Sequence, residues 1–136
     1  MQLYAPKTFW KATPKERQKH CNGCGSKNGI KVPNTFYGLC VKEACNIHDW
    51  MYAKGYTLAD KLFADAIFRM NLSIIIDNNS NSFMSVLRHA RAAKYYLAVE
   101  RWGDSNYWKN KTRNENLNIT FKGEFRDAKI FNVSSN

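Results

Sequence analysis

The sequence predicts a single, mainly α-helical domain built around an antiparallel pair of helices. Three observations lead to this prediction. The length of 136 residues fits one domain, apolar residues recur at helical spacing in three segments, and only three residues separate the first two segments. A composition with 44% hydrophobic and 14% aromatic residues is that of an ordinary globular protein and argues against a chain that is disordered throughout.

The beginning of the chain is predicted to be rich in loops. Residues 1–20 mix proline, charged and aromatic residues, which is typical of an irregular or short-helical segment. Residues 21–33, CNGCGSKNGIKVP, predict a loop whose glycines can turn carbonyl groups inward. Residues 1–20 contain no apolar run of the kind found in Sec signals, and the apolar stretch from Leu72 to Ile76 is far shorter than the roughly 20 residues that span a bilayer. We therefore expect a soluble or peripheral protein.

The first helix of the predicted pair carries a histidine on its apolar side. It begins near residues 34–38 and runs to about Ala53, because apolar residues and His48 recur at helical spacing. Residues 54–56, Lys-Gly-Tyr, supply the stop signal. His48 therefore lies on the side of the helix that faces the rest of the protein.

The second helix is predicted to begin at Leu58. Thr57 and Asp60 have the spacing of a capping box, with Asp in place of the usual Glu. The helix ends in the Asp-, Asn- and Ser-rich residues 77–82. Because the break between the two helices is so short, they are expected to form an antiparallel hairpin.

A third helix is predicted over residues 83–103, FMSVLRHARAAKYYLAVERWG. Beyond Gly103 the helical pattern fades into Asn- and Lys-rich sequence with a weak strand signal at residues 117–121. We predict one domain over residues 1–105, followed in residues 106–136 by a C-terminal tail or a small hairpin.

Helix geometry predicts that His48 pairs with Asp60. At about 100° per residue, Asp60 lies towards the apolar side of the second helix, centred near Phe63 and Met70, whereas Asp65 points away from it towards water. His48 and Asp60 are at similar distances from the turn, so we expect a hydrogen bond between them. A carboxylate that holds one imidazole nitrogen leaves the other free to take a proton from water, as in many hydrolases.

Asp49 provides a candidate metal ligand beside this histidine. It projects about 100° from His48 around the helix, and its carboxylate is a hard oxygen ligand. The glycine-rich loop that precedes the helix can add backbone carbonyls. Together they predict the all-oxygen coordination that Ca²⁺ prefers, and a cation there would polarise an ester carbonyl.

These segments resemble the motifs of the phospholipase A2 family. ACNIHDWMY (44–52) is similar to the family's His-Asp-x-x-Tyr active-site helix, ADKLF (59–63) to the Asp-x-x-Phe segment of its second helix, and GCG (23–25) to its calcium loop. The order and approximate spacing also agree. The resemblance covers about residues 21–76 and is closest to small bacterial and phage-type members.

The resemblance implies a phospholipase A2-like catalytic domain that hydrolyses the sn-2 ester of glycerophospholipids with calcium. It implies that His48 activates water, that Asp60 orients His48, and that the hydroxyl of Tyr52 steadies Asp60. The implied calcium ligands are one carboxylate and three main-chain carbonyls, from Asp49, Gly23, Gly25 and Lys27. Cys24 and Cys45 match a family disulfide, which the chain-entropy model credits with roughly 3 kcal/mol.

The sequence also departs from the family pattern. Lys27 stands where the calcium loop usually has a glycine. Met51 and Ala59 replace cysteines that bridge the two helices in venom and pancreatic members, so the hairpin must be held by packing. The stretch between the loop and the active-site helix is also longer than in those enzymes.

The net charge of +10 indicates a polyanionic partner. For a phospholipase this partner is a phospholipid membrane surface, preferably anionic, and no nucleic acid is expected. The third helix carries Trp and Tyr among Arg and Lys residues, a combination that favours docking at lipid headgroups on the side that does not face the core.

Two other interpretations stay open at this point. The pair Cys21 and Cys24, followed by Cys40 and Cys45, could hold zinc as a four-cysteine site, and a basic zinc module would favour nucleic-acid binding. A non-catalytic virion or scaffold protein could also carry the same motifs.

Overall fold

A computed structural model describes residues 1–25 and 31–121 of the chain. The fold is mainly helical, as predicted. In chain order its elements are α1 (Lys7–Lys11), α2 (Pro14–His20), β1 (Thr35–Phe36), β2 (Leu39–Cys40), α3 (Lys42–Lys54), α4 (Leu58–Asn79), α5 (Ser82–Trp102) and α6 (Asp104–Tyr107). Within the described ranges, no helix has both the length and the apolar character needed to span a bilayer.

The centre of the fold is the antiparallel hairpin of α3 and α4, with α5 packed along the other side of α4. The predicted start of α4 is confirmed, because Thr57 accepts a hydrogen bond from the backbone N–H of Asp60 and the Asp60 side chain accepts one from the backbone N–H of Thr57. This capping box satisfies N–H groups that the first turn of a helix leaves unpaired.

The first helix of the pair starts later than predicted. Residues 35–40 form a two-stranded antiparallel hairpin, in which Thr35 pairs with Cys40 and Phe36 with Leu39. Tyr37 and Gly38 make the turn with positive φ angles of 47° and 82°. Arg88 of α5 donates hydrogen bonds to the carbonyls of Phe36 (3.0 Å) and Tyr37 (2.8 Å), which ties this hairpin to α5.

The N-terminal segment is anchored in the core through a buried amide. Asn71 of α4 accepts a hydrogen bond from the backbone N–H of Tyr4 and donates one to its carbonyl, both at 2.8 Å. Leu3 and Phe9 of this segment are fully buried. Asn71 therefore has its polar atoms satisfied inside the core, as a buried amide requires.

The weak strand signal at residues 117–121 corresponds to no strand in the structure. Instead, this part of the chain passes over the start of α4, where the carbonyls of Asn114 and Asn116 accept hydrogen bonds from the backbone N–H groups of Leu58 (2.8 Å) and Ala59 (3.3 Å). The segment covers the N-terminus of α4.

Candidate active site

His48 lies on the inner side of α3 and is only 6% exposed. Its Nε2 is 2.8 Å from Oδ1 of Asp65 on α4. The ring is held between two aromatic side chains, with centroids 4.1 Å from Tyr52 and 4.7 Å from Phe68. Among the residues that the structure describes, none forms a hydrogen bond with the other ring nitrogen, Nδ1.

Asp65 is the centre of a buried hydrogen-bond network. Its Oδ1 also accepts a hydrogen bond from the hydroxyl of Tyr52 at 2.7 Å, and its Oδ2 accepts one from Nζ of Lys61 at 2.9 Å. Burial alone would raise the pKa of Asp65, but the interactions with His48, Lys61 and Tyr52 hold it below its usual value. Because an ionised carboxylate can only accept hydrogen bonds, Nε2 of His48 carries the proton that joins the two residues.

The predicted contact between His48 and Asp60 is wrong. The Asp60 carboxylate accepts hydrogen bonds from the backbone N–H groups of Tyr56 (2.9 Å), Thr57 (3.2 Å) and Thr120 (2.6 Å) and from the hydroxyl of Thr120 (2.6 Å). Burial would raise the pKa of Asp60, but these hydrogen bonds outweigh it and lower the pKa. Asp60 therefore caps α4 and anchors the C-terminal segment.

Height along the hairpin explains why Asp65 takes the place predicted for Asp60. His48 is six residues before the end of α3, Asp65 is seven residues after the start of α4, and Asp60 is only two residues after it. At roughly 1.5 Å per residue in each helix, His48 and Asp65 stand level across the hairpin.

The buried face of α4 also differs from the predicted one. It is centred near Phe68 and Ile75, whereas Met70 is 39% exposed. The two centres differ by roughly 140° around the helix, at about 100° per residue. This rotation turns Asp65, which was expected to face water, into the core.

Tyr52 supports the site in a different way from the one predicted. Its hydroxyl was expected to steady Asp60 and instead donates to Asp65. Gly103, at the end of α5, makes room for this hydroxyl, because a Cβ atom there would lie 2.5 Å from the hydroxyl oxygen and would also collide with the carbonyl of Val99. Burial and the neighbouring Asp65 charge raise the pKa of Tyr52, so the phenol keeps its proton.

The predicted calcium loop is described in part. Gly23 and Gly25 have positive φ angles of 78° and 92°, a conformation that favours glycine. Gly25 forms an isolated antiparallel bridge with Lys31, which closes the loop. Lys27, the third predicted carbonyl ligand, lies outside the described residues.

Asp49 faces this loop, and its Oδ2 accepts a hydrogen bond from the backbone N–H of Asn22 at 3.0 Å. Burial raises the pKa of Asp49 to about 7, against the lowering effect of that hydrogen bond. Across residues 1–25 and 31–121 there is no cluster of three or more His, Cys, Asp or Glu side chains that could hold a metal. A partly buried carboxylate in contact with the glycine-containing loop nevertheless offers the hard oxygen ligand that calcium prefers.

The predicted disulfide between Cys24 and Cys45 is confirmed and ties the glycine loop to α3. Cys21 and Cys40 are free thiols. Burial and the nearby carboxylates of Asp49 and Glu43 raise the pKa of Cys21 to about 12, so its thiol keeps its proton at neutral pH. With two of the four sulfurs in a disulfide, the four cysteines together cannot form a zinc site.

Sequence reasoning missed two residues of the network, Lys61 and Asp65. They are spaced i and i+4 on one helix, which is the spacing of an ordinary surface ion pair. Their distance from the turn at residues 55–57 was the available signal. In an antiparallel hairpin, residues at similar distances from the turn stand opposite each other, and Asp65 is about as far from it as His48.

Comparisons with protein-family models, with curated proteins and with solved structures found no match. The membership in the phospholipase A2 family therefore stays a prediction. The chain's own side chains, above all the pair His48 and Asp65, are what indicates its function.

Proposed function

We propose that this protein is a calcium-dependent hydrolase of phospholipase A2 type, which cleaves the sn-2 ester of glycerophospholipids. The observation that carries the proposal is the buried hydrogen bond from Nε2 of His48 to Asp65. It holds the imidazole in one orientation and leaves Nδ1 with its lone pair available for a proton. The motif order around His48, Asp49 and the glycine loop gives further support.

The proposed reaction uses His48 as general base. Nδ1 takes a proton from water as the water oxygen attacks the carbonyl carbon of the ester. Asp65 stabilises the imidazolium that forms, and the same proton then passes to the glycerol oxygen as the ester bond breaks. The products are a fatty acid and a lysophospholipid. Tyr52 and Lys61 keep Asp65 in place throughout.

The calcium ion would be held by Asp49 and by the main-chain carbonyls of Gly23, Gly25 and Lys27. When bound, the ion supplies positive charge that polarises the ester carbonyl and balances the substrate phosphate. The raised pKa of Asp49 supports this proposal, because a buried carboxylate with a raised pKa gains from a nearby cation.

The proposed partner is an anionic phospholipid membrane, and the outward face of α5 is the proposed contact surface. Within α5 only Ala92 is buried. Phe83 and Val86 are 72% and 69% exposed, and Leu97 is 40% exposed on the same side of the helix. Lys94 and Arg101 are exposed along that side as well. Apolar side chains flanked by cations suit the headgroup region of an anionic bilayer.

The proposal is tested with liposomes of mixed phospholipids, incubated with and without calcium, and with products identified by mass. We expect wild type to release fatty acid and lysophospholipid only with calcium, and His48→Gln to release none while it stays folded. His89→Gln is the matched control, since His89 also forms a hydrogen bond with an aspartate, Asp77, at 2.7 Å but on the surface.

Full activity of His48→Gln would overturn the proposed mechanism. No release by wild type under any condition would instead favour a non-catalytic scaffold or virion component, for which the 6% exposure of His48 is the supporting observation. In that case the buried network would act as a cross-link between α3 and α4.

A further inference from the structure

Lys61 is a buried cation at the centre of the α3–α4 hairpin. It is only 2% exposed, although lysine is almost never fully buried unless it is paired. Its Nζ lies 2.9 Å from Oδ2 of Asp65, 3.4 Å from the carbonyl oxygen of Val99 and 3.8 Å from Oδ1 of Asp104. The ammonium group therefore connects the carboxylate beside His48 with the end of α5 and the start of α6.

We infer that Lys61 is a positioning residue that acts on His48 through Asp65. The two carboxylate oxygens of Asp65 have separate partners, since Oδ1 accepts from His48 and Tyr52 and Oδ2 accepts from Lys61. An ionised carboxylate accepts hydrogen bonds at both oxygens, which is what this arrangement of three donors uses. Lys61 adds a positive charge to the interactions with His48 and Tyr52 that keep Asp65 ionised, and an ionised Asp65 keeps the ring proton of His48 on Nε2.

Packing alone does not account for a charge at this position. Methionine is of similar length and would fill the space without the desolvation cost of a buried ammonium group, and replacement of buried ion pairs by apolar residues is often neutral or stabilising. What methionine cannot do is offset the charge of Asp65. An uncompensated buried carboxylate takes up a proton, and its hydroxyl would then compete for the hydrogen bonds that orient His48.

The consequence for catalysis rests on the proposed function, but the consequence for the histidine ring does not. Without Lys61, we expect a fraction of the molecules to carry the ring proton of His48 on Nδ1. A protonated Nδ1 cannot accept a proton from water. The position of the proton can be measured directly from the ¹⁵N chemical shifts of the two ring nitrogens in labelled protein. This measurement requires no substrate.

The experiment compares full-length wild type with Lys61→Met, Lys61→Gln and Lys61→Arg. Lys15→Met, at an exposed position of α2, is the matched control. We expect the His48 proton on Nε2 in wild type, Lys61→Arg and Lys15→Met. In Lys61→Met and Lys61→Gln we expect a clear fraction on Nδ1 and a fall in kcat of about tenfold or more, with KM nearly unchanged.

A folded Lys61→Met or Lys61→Gln variant with the proton still on Nε2 would overturn the inference. The Gln variant keeps a hydrogen-bond donor without the charge and remains informative if the Met variant fails to fold. If the ring proton moves as expected but wild type hydrolyses no phospholipid, the positioning role of Lys61 stands and the proposed function fails.

Discussion

Nε2 of His48 and Oδ1 of Asp65 are 2.8 Å apart across the α3–α4 hairpin, although 17 positions separate the two residues in the chain. This contact joins the imidazole to the one carboxylate that also binds Tyr52 and Lys61. Asp60 is five residues closer to the turn than Asp65 and serves instead as part of the cap of α4. Substitutions at the two aspartates should therefore have separable effects.

Asp65→Asn should remove activity through kcat. The amide cannot stabilise the imidazolium as a carboxylate does, so we expect kcat to fall about 100-fold or more with little change in KM. The substitution also removes the closest counter-ion of the buried Lys61 and leaves only Asp104, 3.8 Å away among the described residues, which costs about 3 kcal/mol of stability. Steady-state kinetics on phospholipid vesicles, at a temperature where circular dichroism shows the variant folded, checks the expectation.

Asp60→Asn is the matched comparison for that experiment. Because Asp60 does not contact His48, folded Asp60→Asn should keep its kcat within about threefold of wild type, less than the effect of one general base or acid. If Asp60→Asn loses as much kcat as Asp65→Asn, the assignment of Asp65 as the orienting residue is wrong.

Asp60 should also make the stability of the protein depend on pH. Its pKa is lower in the folded protein than the value of about 3.9 expected in the unfolded chain. The stabilisation is therefore complete above that unfolded value and is lost as the pH falls through the folded pKa. We expect Asp60→Asn to lower the free energy of unfolding by about 1–2 kcal/mol at neutral pH, and by progressively less below pH about 4.

Urea unfolding of wild type and Asp60→Asn at neutral pH and in acid measures this difference. Glu100→Gln, at an exposed position of α5, is the control and should follow wild type at each pH. If the free energies of unfolding of wild type and Asp60→Asn differ by the same amount from neutral pH to acid, the ionised carboxylate contributes nothing to stability.

Much of the fold could be predicted because the strongest local signals agree with the tertiary structure. The capping box at Thr57 and Asp60 determines where α4 begins, and apolar periodicity determines the extent of α4 and α5. The β1–β2 hairpin was missed because its turn uses Tyr37 with positive φ, where Asn or Asp is the usual signal.

The site could be predicted only in part, for a geometric reason. His48 and Asp49 were identified from their helix, but the choice between Asp60 and Asp65 depended on which side of α4 is buried. Phe63, Met70 and Ile74 are apolar but lie at the edge of the buried face or outside it. The apolar pattern within α4 could not reveal that α5 also packs on this helix. This packing moves the buried face of α4 towards Asp65.

Gly103 and Tyr52 should be energetically coupled. A Cβ atom at position 103 would lie 2.5 Å from the Tyr52 hydroxyl, so Gly103→Ala must displace the phenol or the end of α5. We expect Gly103→Ala to cost about 1–3 kcal/mol by overpacking and Tyr52→Phe about 1 kcal/mol by loss of the hydrogen bond to Asp65.

A double-mutant cycle on the free energy of unfolding measures the coupling. In the Tyr52→Phe background the collision with the hydroxyl is absent, so the added cost of Gly103→Ala should fall by about 0.5–1 kcal/mol, while the contact with the Val99 carbonyl remains. Ser105→Ala, at an exposed position, should change the stability of either background by less than about 0.5 kcal/mol. Strict additivity of Gly103→Ala and Tyr52→Phe would rule out the proposed contact.

The outward face of α5 should control binding to anionic vesicles. Phe83→Ser combined with Val86→Ser removes two exposed apolar side chains, and we expect vesicle affinity to fall by about 10- to 100-fold. Lys94→Gln combined with Arg101→Gln removes two charges, each of which is worth about 1 kcal/mol near an anionic surface. Co-sedimentation with phosphatidylcholine vesicles, with and without phosphatidylglycerol, measures both effects.

The controls separate this surface from exposed hydrophobicity and charge in general. Leu117→Ser removes a side chain that is 73% exposed but lies outside α5, and Lys15→Gln removes a charge on α2, so both should bind vesicles as wild type does. Because docking does not require the catalytic base, His48→Gln should also bind normally. If the α5 variants and the controls lose vesicle affinity equally, binding depends on the net charge and not on this surface. The field of a protein with a net charge of +10 attracts a polyanion whichever face is turned towards it.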